Sequence, residues 1–279
     1  MLKKIKKNKS AMVGIILISI LILVAIFADY LVPNDPYEMN LWENNRPPEW
    51  FGADSQYILG TDDMGRCVLS RIIMGTRISL LIASIATFTS LILGVSFGAM
   101  AGYLGGKFDT FIMRLMDVIL SFPAILLAIA IVASLGPGVV NAMIAIAIVR
   151  IPQMARITRS MVISLKETEY VQAARALGAS HFRIVFKHIL INSFAPILVV
   201  ASLGLGTAIV VEAALSFLGL GAQPPMISWG RTLAMARQSI RSAPHLSLYP
   251  GLAIVFTVLG FNLLGDGLRD IFDPSLKNN

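Results

Sequence analysis

Glu212 is the only acid placed well inside an apolar stretch of this chain. A carboxylate at bilayer depth is costly and usually faces a cavity or a partner. Its functional reading is a pathway or gating residue. The other reading is an interfacial residue at the outer end of a membrane span. The remaining polar chemistry gathers in SLKETEYVQAARALGASHFRIVFKH, Ser164 to His188, a basic segment between two apolar runs. Neither feature is built for making or breaking bonds. The chain has no phosphate-cradling GxxxxGK[ST], no GxSxG elbow, no HExxH and no paired carboxylates within one span, so no catalytic role, cofactor or nucleotide site is expected of it. His181 and His188 lie seven apart with no Cys or acid at metal-ligand spacing, and His245 stands alone. No metal site is expected, and a single cysteine, Cys67, excludes an internal disulfide.

Within the polar segment, Ser164 followed by Glu167 has the spacing of a capping box. Tyr170, Ala173, Ala174 and Leu177 then recur at i, i+3, i+4 and i+7, a single helical stripe. Gly178 stands where a left-handed C-terminal cap is wanted, and Ser180 can start the next helix. The expected unit is a short helix lying across the membrane face, with small residues that let another backbone approach closely. A solvated helix packed on its own bundle and a docking knob for a partner both satisfy that pattern.

The elements that position this unit are read from hydropathy. Of 279 residues, 56% are hydrophobic and 14% charged, against about 25% charged in an average soluble domain. A helix needs about 20 apolar residues to cross the hydrocarbon. Six spans follow, near 11–32, 78–103, 114–135, 139–155, 188–212 and 249–266, with Gly136-Pro137-Gly138 dividing one long apolar run into two helices. The first span follows a basic N-terminus but is too long for a signal core and lacks a small-x-small cleavage site, so a retained anchor is expected. Residues 1–77 read as an N-terminal helix plus extracytoplasmic segment, 78–271 as the transmembrane core with a cytoplasmic loop at 156–187, and 272–279 as a tail. Pro33, Pro36, Pro47 and Pro48 make the first outer segment irregular, whereas Trp229 to Ile240 reads as a short amphipathic helix.

The net charge of +7 reflects orientation signals and not nucleic-acid binding. With the N-terminus inside, the inner segments hold 16 basic residues and the outer ones 7. Both termini are then cytoplasmic. Arg114 and Asp117, three apart, read as an anchoring pair at an inner helix mouth. Gly94-Val-Ser-Phe-Gly98 is a GxxxG match that packing within one bundle explains as well as dimerisation does.

EYVQAARALGAS resembles the coupling motif of binding-protein-dependent ABC importer permeases, Glu-Ala-Ala, three residues, then Gly: Ala173, Ala174 and Gly178 match. Gln172 replaces the motif's Glu, and Ile191 stands where a Pro is expected. LGTDDMGR (59–66), RISLLIA (77–83), LSFLGLGAQPP (215–225) and GFNLLGDGLRDIFDP (260–274) are similar to the dipeptide/oligopeptide/nickel branch, with Cys67 where that branch has Asp.

The resemblance implies an all-α type I permease, a five-helix core plus one N-terminal helix, in a bacterial or archaeal inner membrane. It implies one half of a pore for di- or oligopeptides, with nickel or a metal chelate as the alternative solute; outside the resemblance, the alternative class is a secondary transporter. The implied partners are a homologous second permease, two ATP-binding subunits that carry the nucleotide, a solute-binding protein and membrane lipid. The implied docking residues are Glu169, Tyr170, Gln172, Ala173, Ala174, Leu177 and Gly178.

Overall fold

The computed structural model describes residues 8–49 and 56–272, and the basic cluster Lys3 to Lys7 lies outside them. Among the described residues the chain is helical, with one isolated β-bridge joining Thr61 to Cys67. Five helices are long and apolar enough to cross a membrane. They are α1 (Lys9–Ile26), α2 (Val68–Leu104), α5 (Val139–Lys166), α7 (His181–Phe217) and α9 (His245–Phe272). The short helices α6 (Glu169–Ala176) and α8 (Trp229–Ala236) lie at opposite faces of the bundle.

The third expected span is not one helix. α3 (Gly106–Leu120) and α4 (Ala124–Leu135) meet at 89° across a break at Ser121 to Pro123. Proline lacks an amide and disfavours helical geometry in the residue before it. α3 is amphipathic, burying only Ile112 and Met116. Its acids bind α5 and not their own helix: Asp117 accepts from Arg156 at 2.7 Å and Asp109 from Arg159 at 2.6 Å. The expected Arg114–Asp117 pair is therefore replaced by a long-range one.

Other boundaries also differ from the sequence reading. α2 starts at Val68, so the division placed at residue 77 falls inside a helix. The interruptions to its apolar run are arginines that reach groups outside the helix. Arg77 binds the carbonyl of Ala25 at 2.6 Å and Asp29 at 2.8 Å, and Arg71 reaches the carbonyl of Pro36 at 3.2 Å. α5 continues eleven residues past the expected end at 155 and absorbs Ser164, so no capping box forms. Thr168 is the N-cap of α6 instead, and its hydroxyl donates to the Leu165 carbonyl at 2.6 Å.

Packing follows the small residues. Gly94, Gly98 and Gly102, at successive i+4 positions of α2, sit directly on α5. A Cβ would fall 3.0 Å from the Ile151 carbonyl at Gly94 and 2.9 Å from that of Arg159 at Gly102. The GxxxG seam is internal to this chain. α1 docks on α9 the same way, with Gly14 against the backbone of Gly260 and Leu264. At the start of α1 the Asn8 side chain caps Ala11 and donates to Asp270 near the end of α9, at 3.1 Å.

Between α1 and α2 the described residues are irregular apart from helical turns at Ala28–Leu31 and Leu41–Glu43, as the prolines there imply. LGTDDMGR is the knot of this segment. Asp62 accepts from the amides of Met64 at 2.9 Å and Arg66 at 3.0 Å and from the Arg66 guanidinium at 2.8 Å, with Asp62 and Arg66 both nearly buried. Burial, then the adjacent Asp62 charge, holds the Asp63 carboxyl above its usual range. On the same face Ser228 caps α8, whose Trp229 is fully buried and donates Nε1–H to the Ile72 carbonyl of α2 at 3.0 Å.

Candidate functional site: an exposed knob, a buried carboxylate and a cavity

α6 is held by one face only. Val171 has no exposed surface and packs with Val162, Ile184, Ile189 and Ala99. Lys166 Nζ donates to the Gly102 carbonyl at 3.1 Å, pinning the approach to the helix on the end of α2. The Tyr170 hydroxyl donates to the His188 carbonyl at 3.3 Å and accepts from Asn192 at 3.2 Å. Both partners lie at the start of α7, where Ile184–Leu190 forms a π-helical turn. Such turns leave irregular hydrogen bonding inside an otherwise regular helix.

With Val171 turned inward, the predicted stripe faces away from the bundle. Leu177 is 89% exposed, Tyr170 and Ala173 are exposed, and Ala174 is half-buried. Glu169 and Gln172 are exposed beside them, and the Gln172 amide donates to the Glu167 carbonyl at 3.2 Å. Gly178 takes φ +80° with open space around it, and the Ala179 amide closes the turn on the Ala174 carbonyl at 3.0 Å. Ser180 then caps the next helix by accepting from the Arg183 amide. The seven sequence-predicted residues thus lie on one short, rigidly based surface unit.

Glu212 lies toward the other end of the bundle and has no exposed surface. The Ser216 hydroxyl donates to its Oε1 at 2.8 Å, and the side chains of Ser79 and Ser228 lie near the same carboxyl, whose Oε2 makes no hydrogen bond among the described residues. Each serine also holds backbone. Ser79 Oγ accepts from the Trp229 amide and Ser216 Oγ from the Ala222 amide, both at 3.2 Å. Glu212 therefore joins α2, α7 and α8 at one enclosed point.

Between these two features, α5 and α7 border a cavity of about 450 Å³, walled by Leu120, Ala124, Ile146, Val149 and Val211. Its polar lining is Arg150, Gln153, Arg156 and Thr207. The Arg150 guanidinium is hydrogen-bonded to the Thr207 hydroxyl.

Comparisons with known proteins fit this arrangement. Residues 94–278 match the family described as binding-protein-dependent transport system inner membrane component. Residues 1–48 match the N-terminal TM domain of oligopeptide transport permease C. The chain belongs to this permease family. The permease is 51% identical over 276 residues to the dipeptide transport system permease protein DppC of Alkalihalophilus pseudofirmus, covering 99% of this chain and 89% of that one. It is 47% identical over 259 residues to the glutathione transport system permease protein GsiD of Pectobacterium atrosepticum, covering 93% and 85%. Among solved structures, the MetNI methionine ABC transporter in inward-facing conformations is similar with TM-score 0.62 at 18% identity, covering 74% of this chain and 98% of that one. That likeness shows the fold, a type I ABC importer permease, which is the fold class expected from the sequence.

Two residues of the permease's sites escaped sequence reasoning. Val171 was hidden because the small residues around it formed a plausible stripe of their own. Arg150 was hidden because the fourth span was expected to end near it. The signal for Arg150 was the spacing from it through Gln153, Arg156 and Ser160 to Ser164, a polar helical face running past the assumed membrane boundary.

Proposed function

We propose that this permease forms one half of the pore of an ATP-driven importer of di- and oligopeptides. It pairs with a homologous, non-identical permease. Each permease docks one ATP-binding subunit through a unit like α6, and an extracytoplasmic solute-binding protein delivers peptide to the opposite face. The α6 face and both termini are cytoplasmic in this reading, which the excess of Lys and Arg on that side supports.

The observation that carries the proposal is the base of α6. Val171 and the Tyr170–Asn192 contact fasten the helix to α7 and α5, while Ala173, Ala174 and Leu177 are left for a partner. A push on that surface is delivered to two spanning helices that border the cavity. The solute is argued from the relatives, whose names specify dipeptide, di/tripeptide and glutathione transport. None of those names specifies nickel.

The test is reconstitution of the whole complex in liposomes, with ATP hydrolysis and uptake measured against a panel of di- to pentapeptides and against nickel. Stimulation and uptake with short peptides is the expected result. Stimulation by nickel alone, or uptake that persists without nucleotide, would overturn the reading.

A further inference from the structure

Arg150 lies eleven residues into the 28-residue α5. At 1.5 Å per residue that is roughly 16 Å from the helix start, close to the middle of a hydrocarbon layer about 30 Å thick. A charge at that depth is rare and generally faces a water-filled path.

The other arginines of this helix are neutralised, Arg156 by Asp117 and Arg159 by Asp109. Arg150 has no such acid among the described residues. Its Nη1 bonds the neutral Thr207 hydroxyl, and its Nε has no partner. The surroundings make room for it. The guanidinium lies over Gly204, where any Cβ would collide with it. Beyond it opens the cavity of about 450 Å³, within the size range of small-molecule sites. From there Gln153, Arg156, Ser160 and Ser164 continue as exposed polar residues at helical spacing down α5 toward the α6 face. Lipid would not cover such a stripe.

We propose that Arg150 is a carboxylate station in the translocation path, receiving the free C-terminal carboxylate of a peptide in transit with Gln153 and Thr207 as neutral partners. The inference rests on the peptide-permease reading. A guanidinium offers planar, paired donors matched to a carboxylate, and an unpaired one inside a bundle is already desolvated, so a ligand carboxylate restores what folding removed. The apolar walls contact peptide side chains without selecting among them, as a path for many sequences requires.

The experiment uses the complete reconstituted transporter and compares alanyl-alanine with alanyl-alanine amide. In Arg150→Gln, hydrolysis stimulated by peptide-loaded binding protein should persist while alanyl-alanine uptake per ATP falls at least about tenfold, the loss expected for a charge-assisted hydrogen bond. Arg150→Lys should recover most of that uptake. Gly204→Ala, which displaces the guanidinium without removing it, should lower it in the same direction. Uptake of the amide should not respond to Arg150→Gln. Unchanged alanyl-alanine uptake in Arg150→Gln, or an equal fall for acid and amide, would overturn the station. Failure of the unaltered complex to move either peptide would sink the peptide reading itself.

Discussion

Tyr170 of α6 and Asn192 of α7 are hydrogen-bonded across the α6–α7 junction, Nδ2 to hydroxyl at 3.2 Å, and both also bind the His188 carbonyl. One carbonyl thus serves two side chains, one from α6 and one from α7, and ties the two elements together. His188 lies within the π-helical turn, so the latch occupies the irregular part of α7 and not its regular length.

This relation predicts a coupling defect without a folding defect. Each neutral hydrogen bond here contributes about 1 kcal/mol at most. Tyr170→Phe and Asn192→Ala should each lower peptide uptake per ATP a few-fold while the permease still inserts and assembles. The double variant should lose less than the sum of the two singles, because the Asn192–Tyr170 bond is removed by both changes while each also frees its own bond to the His188 carbonyl. Additive losses in a double-mutant cycle would refute a common latch.

Gly178 separates conformational demand from crowding. Nothing lies within 4 Å of a Cβ there, yet φ is +80°. Gly178→Ala should therefore cost about 1 kcal/mol from backbone preference alone and leave measurable uptake. Gly178→Pro removes the amide that donates to the Arg175 carbonyl and fixes φ near −65°. It should abolish transport while membrane insertion remains normal. A bulky residue at Ala174 should act alike, by blocking approach to the exposed face. Wild-type uptake in Gly178→Pro would remove this account of coupling.

The glycine seam predicts the opposite phenotype. A Cβ at Gly98 would collide with the Ala155 carbonyl and lie 2.8 Å from Thr158 Cβ. Neither backbone can yield without parting α2 from α5. Gly98→Val should cut the amount of folded permease and its melting temperature in detergent, whereas Gly105→Ala, with open space around it, should not approach that loss. Equal melting temperatures for Gly98→Val and the parent would show that the helices can separate freely.

Local chemistry reached the surface of α6 from sequence because its signals sit within a dozen residues: Gly178 for the cap, Ser180 for the restart, the i, i+3, i+4, i+7 stripe. Family and fold class were equally legible from motifs in order along the chain. What stayed hidden depends on distant partners. Asp117 chose Arg156, 39 residues away, over Arg114 at three, because α3 turns 89° from α4 and lies against α5. The ends of α2 and α5 were cut short because arginines were taken as boundaries. In the folded chain Arg77 is satisfied by α1 carbonyls, and Arg150 faces a cavity.

Glu212 provides the remaining prediction, which turns on whether the site needs a charge or a shape. Its carboxyl is enclosed and met by serine side chains from α2, α7 and the cap of α8, with no basic group paired to it among the described residues. Glutamine keeps the length and one acceptor oxygen, and its amide can donate to the hydroxyls. Glu212→Gln should therefore retain at least half of the parent's uptake and nearly its melting temperature. Glu212→Ala leaves the serines facing a void and should destabilise by about 2–3 kcal/mol, from lost hydrogen bonds together with a cavity. The measurement is thermal unfolding of the detergent-purified complex beside uptake in liposomes. Loss of uptake in Glu212→Gln at an unchanged melting temperature would assign the residue to gating by its charge and refute a purely positional role.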